Sequence, residues 1–146
     1  MKTETVNHIH QSFELLIQKY GFKVSNEINE DGYFLIEYKS NDFIIEIEKY
    51  HRELYTVIYK EGALRGINLF NLLDYLTLDL PDKPKVNYFS KEANLDQSYQ
   101  RQINHISKTI MDNYVLIKDF FRNEGYEIRF NTFENYWKQK HPELYK

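Results

Sequence analysis

The chain has 146 residues, a formal net charge of −3 and no cysteine. That length suits one domain with a buried core, 1–146, and fractions of 42% hydrophobic and 28% charged residues argue against wholesale disorder. The charge balance supplies no global basic field for nucleic acid, disulfide and thiolate chemistry are excluded, and no apolar run approaches the roughly 20 residues of a membrane span.

Residues 4–20 carry Val6, Ile9, Phe13, Leu16, Ile17 and Tyr20 at helical spacing, with Thr3 or Thr5 as the expected cap and Gly21 as the stop. The period then changes to two. Phe22, Val24 and Ile28 form one apolar row; Phe34, Ile36 and Tyr38, then Phe43, Ile45 and Ile47, then Tyr55, Val57 and Tyr59 form the next three. Asp31-Gly32, Ser40-Asn41-Asp42 and the weaker His51-Arg52-Glu53 supply the turns, so residues 22–61 read as an antiparallel meander of four strands. One apolar row per strand calls for helices on one face only.

Asn68 caps a Leu-rich helix with Leu69, Leu72, Leu73 and Leu76 on one side, and Pro81 and Pro84 mark a loop. Over 94–124 the stripe Tyr99, Ile103, Ile106, Ile110, Tyr114, Ile117 and Phe121 predicts a single long helix, capped by Asn94 and Gln97 and ended by Gly125. At 1.5 Å per residue it would be a rod of about 45 Å that overhangs the sheet, its end covered by the last helix or by a second copy. YEIRF at 126–130 reads as a short fifth strand, and TFENYWKQK as a last helix with Phe133, Tyr136 and Trp137 on one side. The fold expected is α+β: an N-terminal helix, the four-stranded meander, then three helices including the long one, packed on one sheet face. Phe13, Ile17, Phe34, Ile36, Ile45, Ile47, Val57, Leu72, Leu76, Ile106, Ile110 and Ile117 are the expected core.

Chemical signatures are sparse. His8 and His10 point about 200° apart on a helix and cannot share an ion. His105 lies beside the long stripe as a boundary histidine. No phosphate loop, dinucleotide fingerprint, nucleophile elbow or metalloprotease pattern is present, so no catalytic residue, metal ligand or cofactor is assigned. Glu46 and Glu48 alternate with the apolar row of the third strand and so share the opposite face, where Glu37 and Glu27 would join them. Lys23 and Lys39 fall on that face too, which is also the pattern of a solvated surface.

The stretch FELL…KYGF, the meander and LFNLLDYL, within residues 13–80, resemble the small bacterial α+β proteins of the immunity-protein kind. The Lys-, Asn-, Ile- and Tyr-rich composition resembles the drift of AT-rich bacterial genomes. The resemblance, with the mild acidity, the abundant Tyr and the lack of catalytic signatures, implies a non-catalytic binding protein that masks a partner protein, and cytoplasmic location is the default expectation where no apolar signal or spanning segment is read. The expected surface is Glu37, Glu46 and Glu48 with Tyr33 and Tyr50, and the expected partner is basic, with no role for membrane or nucleic acid. A monomer is expected, with a homodimer as the alternative. The competing readings are self-assembly through the long helix and an enzyme using scattered carboxylates.

Overall fold

The computed structural model describes residues 2–30 and 32–145. It is an α+β fold with helices α1 (Lys2–Ser12) and α2 (Glu14–Tyr20), strands β1 (Lys23–Glu30), β2 (Tyr33–Lys39), β3 (Ile44–Tyr50), β4 (Glu53–Tyr59) and β5 (Ile67–Asn68), then α3 (Leu69–Leu76), α4 (Leu95–Asp112), α5 (Tyr114–Phe120) and α6 (Tyr126–Lys140). The sheet is antiparallel throughout in the order β1-β2-β3-β4-β5. The four-strand meander is as expected, and the fifth strand is the short β5 rather than 126–130. That segment opens α6 instead. Tyr126, Phe130, Phe133 and Trp137 recur at steps of four, three and four and pack on the core, leaving Ile128 73% exposed.

Local signals set several ends. Gly21 takes φ 73° and closes α2 through its N–H to Ile17 O at 3.0 Å. Asn68 Oδ1 accepts from the N–H groups of Phe70 and Asn71, and Asn94 Oδ1 from that of Gln97. Thr5 lies inside α1 rather than capping it. The side chain of Thr3, and Asp31 of the expected turn, lie outside the described residues.

The long helix is two helices. At Asn113 the side-chain amide donates to Thr109 O at 2.9 Å, and the backbone N–H is shared between Thr109 O and Ile110 O at 3.2 and 3.3 Å. The backbone departs from helical angles at this residue, φ −119° and ψ 18°, although its C=O still accepts from Ile117 N–H at 3.1 Å. The 18 residues of α4 span about 27 Å, and the seven residues of α5 follow after Asn113 alone. Beyond it Phe120 and Phe121 sit against Tyr126, and Phe120 also meets Phe133, so α6 covers the apolar end.

Phe34, Ile36 and Tyr38 from β2, Ile45 and Ile47 from β3, and Leu54 and Ile58 from β4 join one core with Phe13, Leu16, Leu72, Ile106, Ile110 and Ile117; Ile17 and Leu76 pack at its margin. Val57 is not in it. Ile47 stands opposite Thr56, and Ile45 opposite Ile58, so Leu54, Thr56 and Ile58 point inward and Tyr55, Val57 and Tyr59 outward. The three-residue turn expected at 51–53 is in fact two residues, His51 and Arg52, with Tyr50 opposite Glu53. One residue fewer in the turn moves every β4 side chain to the other face. On β1 the same kind of slip has a different cause. Val24 pairs with Tyr38 but Asn26 pairs with Glu37, and the extra residue, Ser25, is a bulge. Ile28 therefore faces outward opposite Leu35, and Val24 is left 46% exposed.

Helix α4 grips the β3–β4 turn. Gln102, 1% exposed, accepts from Leu54 N–H and donates to Arg52 C=O, both at 2.9 Å, as a neighbouring strand would. Tyr99 donates to His51 O at 3.1 Å. Gln102→Leu leaves a buried donor and acceptor unpaired and is expected to cost about 2 kcal/mol in chemical denaturation. In contrast, Thr56 is 3% exposed and its hydroxyl has no partner among the described residues. Thr56→Val is expected to raise stability by about 1 kcal/mol, readable as a higher melting temperature.

Candidate functional site on the outer sheet face

Side chains that alternate with the core rows make the outer face. In register across the sheet run Asn26, Glu37, Glu46 and Val57, and beside them Ile28, Leu35, Glu48 and Tyr55. Tyr33, Tyr50 and Tyr59 belong to the same face by strand parity. Most of these residues are half-buried, and Tyr50 is 56% exposed. Glu37, Glu46, Glu48, Tyr33 and Tyr50 thus all stand on the face anticipated for them.

Glu27 does not. Beyond the bulge it opposes Ile36 and turns toward the helices, where its carboxylate accepts from His10 Nε2 at 2.9 Å. His10 Nδ1 lies 2.5 Å from the Tyr38 hydroxyl, so the histidine ties α1 to β1 and β2. Burial holds the Tyr38 phenol well above the usual tyrosine range. His105 is a packing residue, stacked on Phe70 and bonded to Lys85 O.

Glu37 and Glu46 are direct cross-strand neighbours, an arrangement in which like charges repel. The Tyr59 hydroxyl lies between them, bonded to Glu37 and 3.2 Å from Glu46 Oε2. A phenol has one proton and donates to one carboxylate at a time. Ser25, at the bulge, donates to Glu37 Oε1 at 2.8 Å. Tyr33 donates to Glu48 Oε2 at 2.6 Å, and that bond above all pushes its phenol up to about 12. Burial raises the Glu46 carboxyl above its ordinary value; the Tyr59 bond opposes this, and the charges of Glu37 and Glu48 add to it.

Among the described residues no Lys or Arg forms an ion pair with Glu37, Glu46 or Glu48. Lys39, which shares the face, is committed to Glu61. Beside it a cleft of about 440 Å³ opens at the bulge, lined by Tyr20, Lys23, Ser25 and Lys39 among others. The face is acidic in its middle and basic at that end. No group of three or more His, Asp or Glu side chains among the described residues is arranged to hold a metal ion.

Tyr55, Val57 and Tyr59, with Ile28 on β1, are members of this face that the alternation pattern assigned to the core. Both parities of LYTVIY are strand-forming, so periodicity does not choose between them. The length of the turn at His51 does.

Comparison of the chain with protein-family models, curated proteins and solved structures finds no match. No helix among the described residues is long and apolar enough to cross a membrane.

The raised Glu46 carboxyl has a consequence for stability. Its native state binds a proton more tightly than the unfolded chain, whose value is near 4.5. Stability contributed by this group is therefore present at and below pH 4.5 and is lost as pH rises through the native value. Denaturant melts are expected to show wild type losing stability relative to Glu46→Gln between pH 4.5 and neutrality.

Proposed function

We propose that the protein is a non-catalytic binding module of the immunity-protein kind, which masks a basic partner protein with its outer sheet face. The observation that carries this reading is the set Glu37, Glu46 and Glu48. They are half-buried, lack an ion-paired Lys or Arg among the described residues, and are ringed by half-exposed Tyr33, Leu35, Tyr55, Val57 and Tyr59. Carboxylates held partly out of water gain from an incoming cation more than fully solvated ones do. Tyrosines supply contact area at small entropic cost. The sheet also holds these side chains on a prearranged surface, which lowers the ordering cost of association.

Self-assembly through the long helix has less to support it, since the apolar end at Phe120 and Phe121 is covered by α6. The test is the double reversal Glu46→Lys/Glu48→Lys, with a thermal melt to establish folding and a pull-down from the native host. Wild type is expected to retain a basic protein that salt releases, and the double variant to lose it. A folded double variant that keeps every wild-type partner overturns the proposal.

A further inference from the structure

One corner of the outer face has a different character. Tyr50 ends β3, Tyr55 lies on β4, and Tyr88 comes from the long loop before α4. The Tyr50 and Tyr55 rings lie 5.7 Å apart at 34°, and the Tyr55 and Tyr88 rings 5.7 Å apart at 89°. Glu53, opposite Tyr50 in register, accepts the Tyr55 hydroxyl at 2.5 Å. Tyr88 is held from below: Ser98 of α4 donates to Tyr88 O at 3.2 Å, and the next residue, Phe89, takes φ 48°. Two ring walls near a right angle, a third ring 56% exposed and a carboxylate thus converge on one spot.

We propose that Tyr50, Tyr55 and Tyr88, with Glu53, form a cation–π clamp for an arginine side chain of the basic partner; this rests on the reading of the outer face as a docking surface. Rings attract a cation within about 6 Å of their centres. A guanidinium is flat, so it stacks on one wall while its edge donates to the carboxylate. Elsewhere the protein uses its own cations in this way, over Tyr20, Phe89, Tyr126, Phe130 and Tyr136. Among the described residues no Lys or Arg stands over Tyr50, Tyr55 or Tyr88; the His51 ring packs on one side of Tyr50, with centroids 4.3 Å apart. Lys49, next to Tyr50 in sequence, donates to Gly32 O at 2.8 Å, and Arg52 is turned to the loop and donates to Glu92 O at 3.0 Å.

The test titrates the folded protein with a short acetylated Gly-Arg repeat peptide, following tyrosine ring signals by NMR, beside matched Gly-Lys and Gly-citrulline peptides. The variant Tyr50→Leu/Tyr88→Leu keeps apolar volume and removes the rings. The Gly-Arg peptide is expected to shift the Tyr50, Tyr55 and Tyr88 signals, to bind about tenfold more weakly to the leucine variant, and to bind more tightly than the Gly-Lys peptide, while the citrulline peptide does not bind. An unchanged affinity in the leucine variant, or equal affinity for the Lys and Arg peptides, overturns the clamp. The reversal Glu46→Lys/Glu48→Lys in the same titration separates the two readings. If it abolishes binding and the leucine variant does not, the acidic face stands and the clamp falls. If only the leucine variant loses binding, the clamp stands and the wider face falls.

Discussion

The grip of α4 on the β3–β4 turn decides which side chains the rest of the structure has to work with. Gln102 pairs with the backbone of Leu54 and Arg52, and Tyr99 with that of His51, so the turn is held at two residues. His51 accepts a left-handed conformation, φ 56°, to make it. The register that follows sends Leu54 and Ile58 into the core and Tyr55, Val57 and Tyr59 to the outer face. Its cost is Thr56, a buried hydroxyl without a partner among the described residues. Its return is the tyrosine that bridges Glu37 and Glu46, and one wall of the aromatic corner.

The carboxylates divide by what surrounds them. Asp74 on α3 receives Lys140 and Tyr136 from α6 and Lys83 from the following loop, and its carboxyl is lowered, chiefly by the Lys140 bond. Glu27 is tied to His10, and Glu134 to Arg65. These groups stitch helices to sheet and to each other. Glu46 moves the opposite way, because partial burial and the adjacent charges of Glu37 and Glu48 outweigh the single hydroxyl offered by Tyr59. Unlike Asp74, Glu27 and Glu134, the carboxylates of Glu37, Glu46 and Glu48 stand together on one sheet face with only hydroxyl donors among the described residues. That contrast, more than the number of charges, is what marks the face.

Chain order and helical periodicity made most of the scaffold legible. The alternation over 33–50, the glycine at 21, the asparagine caps at 68 and 94 and the stripe from Tyr99 to Phe121 each act within a few residues, so each can be read locally. The same local logic misread 126–130, where Tyr126, Ile128 and Phe130 alternate as a strand would. The partners Phe133 and Trp137, further along, make the helical face the larger one to bury.

The sequence by itself determined the α+β order, the inner rows of β2 and β3, and with them the placement of Glu37, Glu46, Glu48, Tyr33 and Tyr50 on the opposite face. Tertiary structure alone decided the parity of β1 beyond Ser25 and of all of β4. A period of two records that neighbours alternate, but not which parity is inside, when both carry strand-forming residues as in LYTVIY. That choice was made by a bulge and by contacts from α4, some 50 residues away in the chain, between Gln102 and the turn it holds. The meeting of Tyr88 with Tyr55 is of the same kind: it exists only because the loop is anchored to α4 beside the β4 edge.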